Sequence, residues 1–168
     1  MNQLCRSEIK FMRLLILLLV SLSLIVGGCG FNPSSMVKGI KLPSSSANTE
    51  NICFKNDCFR VELAVTQTER AQGLMYRDKM EVDRGMFFIF PNVGSYDFWM
   101  KNTLIPLDII WLDENYQVVE IKNNAAPCLQ TSCPIFTSSV RAKFVLEING
   151  GQAGKIGLKV GDYLSIGS

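Results

Sequence analysis

The chain has 168 residues, 48% of them apolar, and a formal net charge of +2 at pH 7. That size suits one domain with a targeting segment. Loss of residues 1–28 would remove Arg6, Lys10, Arg13 and Glu8, leaving 14 of the 17 cations and 14 of the 15 anions. Such a balance excludes recruitment of nucleic acid by a basic surplus. The absence of histidine excludes Ser-His-Asp and Cys-His chemistry, His-containing zinc sites and the usual general base near neutral pH.

Arg6, Lys10 and Arg13 precede a 13-residue apolar run, Leu14 to Val26. The run is short for a bilayer span and has the length of a signal-peptide core. It ends in Val26-Gly27-Gly28-Cys29, which resembles a bacterial lipobox. The expected product starts at a lipidated Cys29 and is an exported lipoprotein anchored to a membrane of the bacterial cell envelope. An uncleaved anchor or an ordinary cleaved signal are the competing readings. Gly30 to Glu50 is rich in Pro, Gly, Ser and Asn without a sustained period, the composition of a flexible tether. The expected organisation is a signal peptide over 1–28, a tether over 29–50 and one domain over 51–168.

The domain reads as short strands. Phe59, Val61 and Leu63 alternate with Arg60 and Glu62, the period of a half-buried strand. Lys55-Asn56-Asp57 is turn chemistry joining it to Asn51–Phe54. Thr66 with Glu69 forms a capping box that predicts a helix from about Gln67 to Tyr76, weakened by Gly73. Arg70, Arg77, Asp78 and Lys79 read as a solvated face, with a functional Arg77 as the alternative. Strands are predicted over 85–90, 98–100, 107–112, 118–122, 142–148 and 163–166. Residues 91–94 read as a turn, 123–139 as a loop, and a short helical turn opens at Asn149-Gly150-Gly151. Seven to eight short strands with one short helix predict a mainly β fold, a small antiparallel barrel or sandwich.

The stretch Tyr96 to Asp113 mixes aromatic, cationic, amide, hydroxyl and carboxyl groups in a run that otherwise reads as buried. An apolar floor with a few convergent polar groups is how small-ligand sites are built. The expected floor is Phe88, Trp99 and Met100, and the expected polar groups are Lys101, Asn102, Thr103 and Asp108. Lys101 is expected to pair with Asp108 or Glu147. The bland alternative is that Asp108 accepts hydrogen bonds from backbone or Asn102 and fixes the turn after Pro106.

Three blocks carry a resemblance. They are Arg70-x-x-Gly73-Leu74-Met75-x-Arg77, Gly85-Met86-x-Phe88-x-Phe90, and Phe98-Trp99-Met100-Lys101-Asn102-Thr103-x-x-Pro106-Leu107-Asp108-Ile109-Ile110. With Val145-Leu146-Glu147 and Gly161-Asp162, they are similar to the family catalogued as domain of unknown function 192, over about Val61 to Ile166. The resemblance implies a β-rich domain that is commonly exported, and it supplies no settled activity. Cys53, Cys58 and Trp111 stand outside its core pattern.

The domain cysteines form two C-x4-C pairs, Cys53/Cys58 and Cys128/Cys133. In an exported protein they read first as disulfides, here two local ones contributing roughly 2 kcal/mol each. A four-thiolate zinc site and a redox-active pair are the rivals. Met75, Met80, Met86 and Met100 read as core fillers rather than a Cu(I) site. No metal or cofactor is expected. The leading functional expectation is an anchored domain binding a small polar ligand or envelope component. The rivals are a glycan hydrolase using Asp108 and Glu147 as its two carboxylates, and an envelope scaffold.

Overall fold

The computed structural model describes residues 48–167. The expected signal peptide, Cys29 and most of the tether lie outside the described residues. Among those described, nine strands and two helices follow one another. They are β1 (Thr49–Phe54), β2 (Asp57–Ala64), α1 (Gln67–Gln72), β3 (Arg84–Gly94), β4 (Asp97–Trp99), β5 (Leu107–Leu112), β6 (Val118–Ala125), β7 (Ile135–Thr137), β8 (Ala142–Asn149), α2 (Gln152–Lys155) and β9 (Ser165–Gly167). Seven strands make one sheet, ordered β6-β5-β8-β3-β2-β1-β9, and β4 pairs with β7 separately. The fold is mainly β, as expected, and the sheet is open rather than a closed barrel. Its two edges are tied at one point, where Gln117 bridges Tyr163 and the Leu164 N–H donates to the Tyr116 carbonyl.

The antiparallel expectation fails at one pair. β2 and β3 run parallel, with Val61 beside Gly85 and Leu63 beside Phe87. A parallel neighbour requires a crossover connection, and residues 65–83, containing α1, supply it. The Thr66 hydroxyl accepts the Glu69 N–H at 3.2 Å, and the Glu69 carboxylate accepts the N–H groups of Thr66 and Val65 at 2.8 and 2.9 Å. The helix expected to reach Tyr76 stops at Gln72, because Gly73 turns to φ +48° while its N–H still bonds the Glu69 carbonyl.

Two further differences have local causes. The turn expected at 91–94 is a bulged continuation of β3, whose partner in β8 jumps from Phe144 at Ile89 to Ala142 at Gly94. Pro91 offers no N–H, and the side chains of Lys143 and Arg141 instead donate to the Pro91 and Val93 carbonyls. The loop expected over 123–139 contains β7, three residues long and therefore too short to show a period, with Phe136 opposite Phe98.

The sheet is apolar on both faces. Phe59, Val61, Phe87, Ile110, Leu112, Phe144, Leu146 and Ile148 pack on one side with Leu158 and Leu164. Met86, Phe88, Ile109, Trp111 and Val145 pack on the other with Leu74, Phe98, Met100 and Ile105. All six residues of β5 are buried, which is why Leu107–Leu112 lacks clear alternation. Both local disulfides form: Cys53–Cys58 at 2.09 Å directly across the β1–β2 hairpin, and Cys128–Cys133 at 2.06 Å.

Candidate functional site

The crossover and the β4–β7 pair roof the second face of the sheet incompletely. A cavity of about 300 Å³ remains between α1, the segment Gly73–Met75, β3 and β4. Leu74, Phe88, Phe90, Phe98 and Trp99 form apolar walls, with Thr103, Arg70 and Asp97 at the border and Glu147 at the floor. The aromatic walls brace one another: Phe88 and Phe98 meet edge to face at 5.0 Å, and Phe98 meets Trp111 at 5.8 Å. Trp111 itself is core, its indole N–H donating to the Tyr96 carbonyl at 3.1 Å.

Glu147 is the unusual member. It stands on β8 between Met86 of β3 and Ile109 of β5, so its sheet neighbours are apolar. It is 4% exposed, and among the described residues no group hydrogen-bonds or pairs with its carboxyl. Burial alone pushes that carboxyl up to about 8, which keeps it a neutral acid at pH 7. Gly73 lies directly over it. A Cβ at Gly73 would sit 3.4 Å from the Phe88 ring and 4.0 Å from Glu147 Oε2. These are ordinary contact distances, so it is the positive φ that favours glycine there.

Arg70 is not the solvated residue expected. It is half-buried, donates to the carbonyls of Val65 and Ile89, and lies 5.2 Å from the centre of the Phe90 ring. Arg77 is also half-buried and forms a forked pair with Glu62 at 2.5 and 2.6 Å, tying the crossover to β2. That hydrogen bonding holds the Glu62 carboxyl below its usual range.

Of the expected site residues, Phe88, Trp99 and Thr103 line the cavity with Glu147. Met100, Lys101 and Asn102 do not. Met100 is 1% exposed and its carbonyl accepts the N–H groups of Thr103 and Cys128. Asn102 turns to φ +55°, donates to the Tyr76 hydroxyl and exchanges backbone bonds with Tyr76 and Cys128. These residues hold the 100–103 turn against the Cys128–Cys133 loop. Lys101 pairs with neither carboxyl; its ammonium lies 5.2 Å from the centre of the Trp99 ring.

Asp108 falls on the opposite face. In the β5–β8 register Ile109 faces Glu147 and Asp108 faces Ile148, so the two carboxyls project to different sides of the sheet. Asp108 accepts the N–H groups of Asn124 (2.7 Å), Gly151 (2.9 Å) and Ala153 (2.8 Å). It thereby caps α2, whose own N-cap, Gly151, has no side chain to do so. Asp108 accepts from backbone, as the bland alternative has it, but Asn102 is not among its donors and the groups it ties lie in β6 and at the start of α2 rather than in the turn after Pro106.

Gly73, Leu74 and Phe90 belong to the cavity although residue patterns alone did not place them there. Their signal was present in two of the blocks that carry the family resemblance. Among the described residues no cluster of three His, Cys, Asp or Glu side chains could hold a metal ion. Met86 and Met100 are buried in the core and Met80 packs against it, as expected of gap-filling methionines.

Two solved structures share the architecture. One is from Sinorhizobium meliloti 1021, described as a candidate transcription regulator: 35% identity, TM-score 0.66, covering 72% of this chain and 95% of that one. The other is a protein of unknown function from Novosphingobium aromaticivorans: 33% identity, TM-score 0.65, covering 83% of this chain and 99% of that one. No curated protein matches the chain. The profile of domain of unknown function 192, described as an uncharacterized ACR, matches residues 50–166. The chain belongs to that family.

Proposed function

We propose that this domain is a binding module of the bacterial cell envelope, held to a membrane through a lipidated Cys29, that takes a small polar ligand into the cavity above Glu147. The observation that supports the binding reading is Glu147 itself. A carboxyl set among apolar neighbours, pushed up by burial and with its oxygens open to a cavity, is the kind of group that concentrates at functional sites. The cavity's size and its apolar walls with a few polar groups fit the small end of ligand pockets. The anchoring half of the proposal rests on Val26-Gly27-Gly28-Cys29 alone.

The glycan hydrolase reading requires two carboxyls flanking one bond. Asp108 and Glu147 lie on opposite faces of the sheet, which removes its geometric basis. The regulator description of the Sinorhizobium relative gains no support from the balanced charge of this domain.

Native mass spectrometry of the full chain from its own membranes, in a non-ionic detergent, tests the reading. The expected result is a non-covalent adduct on the wild type that Glu147→Ala loses while keeping its fold. An adduct-free wild type, or an adduct indifferent to Glu147, would contradict it. Intact-mass analysis of the same sample reports on the lipid: a chain starting at a diacylated Cys29 is expected, and an unmodified residue 29 would overturn the anchor.

A further inference from the structure

We infer that the ligand carries an organic cation, a protonated or quaternary ammonium group on an apolar body, seated on the Glu147 carboxyl against the rings of Phe88, Phe98 and Trp99. This deepens the binding reading and rests on it.

The charge inventory of the cavity comes first. Its lining holds three charged or titratable side chains: Glu147 from β8, Arg70 from α1 and Asp97 from β4. The other elements packed around Glu147 contribute none: β3 presents Met86 and Phe88, β5 presents Ile109, and the turn before β5 presents Thr103. Arg70 is already engaged by two carbonyls and the face of Phe90. An anionic ligand would therefore meet two carboxyls against a single lining cation, two of whose five N–H groups are already spent. A cationic ligand would meet one buried carboxyl with nothing else to pair with.

The walls make the same selection. Aromatic faces attract ammonium groups, most strongly where water is excluded. Two rings of this cavity already carry cations at their accessible sides, Arg70 at Phe90 and Lys101 at Trp99, both 5.2 Å from the ring centre. Phe88, Phe98 and Trp99 line the same cavity as Glu147. Aromatic rings beside a buried carboxyl form the kind of lining that accepts an ammonium with bulk on it.

Binding then carries a proton signature. In the empty cavity burial keeps Glu147 protonated up to a pH of about 8. An arriving cation displaces that proton to solvent and pairs with the carboxylate, so the buried pair stays neutral overall. Affinity for a permanent cation should rise about tenfold between pH 6 and pH 7 and level off above pH 8. An uncharged ligand accepting a hydrogen bond from the neutral acid would show the reverse, constant affinity at low pH and a fall above pH 8.

Choline and its uncharged isostere 3,3-dimethylbutan-1-ol separate these cases, titrated by calorimetry into the full chain in a non-ionic detergent. The expected result is choline at least tenfold tighter at pH 8, release of a proton at pH 7, and loss of the preference in Glu147→Gln. Trp99→Ala, altered at a residue that is half exposed and therefore tolerant, should weaken choline more than the alcohol. Equal or tighter binding of the alcohol overturns the cation inference and leaves the site standing. Absence of binding by either probe up to about 10 mM, beyond the weakest affinities of interest, also overturns it. In that case an adduct that depends on Glu147 would preserve the site reading, and its absence would end both.

Discussion

Asp108 and Glu147 lie one register step apart on neighbouring strands, both buried, on opposite faces of the same sheet. Asp108 accepts three backbone N–H groups and caps α2. Among the described residues Glu147 is offered no donor, and it lines a cavity. Burial is thus common to both, and the partner count separates a structural acid from a site acid. The comparison also warns against reading two acids close in a sheet as a catalytic pair, since a single step in register moves a side chain to the other face.

The sharpest way to break the comparison is to remove each acid. Asp108→Ala strands three backbone donors and should cost about 3 kcal/mol or more in chemical denaturation. A loss below about 1 kcal/mol would deny Asp108 its structural role. Glu147→Gln should act in the other direction and through pH. The folded carboxyl binds its proton more tightly than the unfolded one, so the wild type should lose stability as pH rises from about 5 to about 8, by up to about 1.4 kcal/mol per unit. Thermal melts across that range should show the slope in the wild type and a flat line in Glu147→Gln, which should be the more stable at pH 8.

Smaller effects mark the surroundings of the cavity. Thr66→Ala removes half of the capping box of α1 and should cost about 1 kcal/mol. Arg77→Ala breaks a pair whose side chains are 34% and 33% exposed, so solvent screening limits the loss to about 0.5 kcal/mol. Because pairing holds the Glu62 carboxyl low, that contribution is complete above the ordinary carboxylate range and is lost as pH falls below that range through the lowered folded value. Neither variant should alter the proton released by choline; if Arg77→Ala does, the crossover contributes to the site.

Local chemistry made much of the fold legible. The capping box at Thr66 and Glu69, the Lys55-Asn56-Asp57 turn and the run Leu107–Leu112 announce their elements without help from tertiary structure. The parallel β2–β3 pair was not legible, because its crossover is mostly irregular chain and shows no helical period beyond α1. β7 escaped for want of length. Near the cavity, the density of polar groups in Lys101-Asn102-Thr103 points to a stretch of which Thr103 lines the cavity. Two of the three serve the turn and its disulfide neighbour instead, and only tertiary contacts distinguish those roles. Glu147 alternates with Phe144, Leu146 and Ile148 in β8, so the sequence already sets it on the face opposite theirs, where the structure has it with Val145; only tertiary contacts tell what covers that face.

The ionisation of the Glu147 carboxyl decides both the site and its ligand class. A ¹³C-carboxyl NMR titration of Glu147 in the full chain, empty and with choline, tests it most directly. The account predicts a midpoint near 8 in the empty protein, displaced well below 7 when choline is bound. A midpoint in the ordinary range of about 4.3, unmoved by choline, would show a solvated or already partnered acid and would contradict both the site and the ligand class assigned to it.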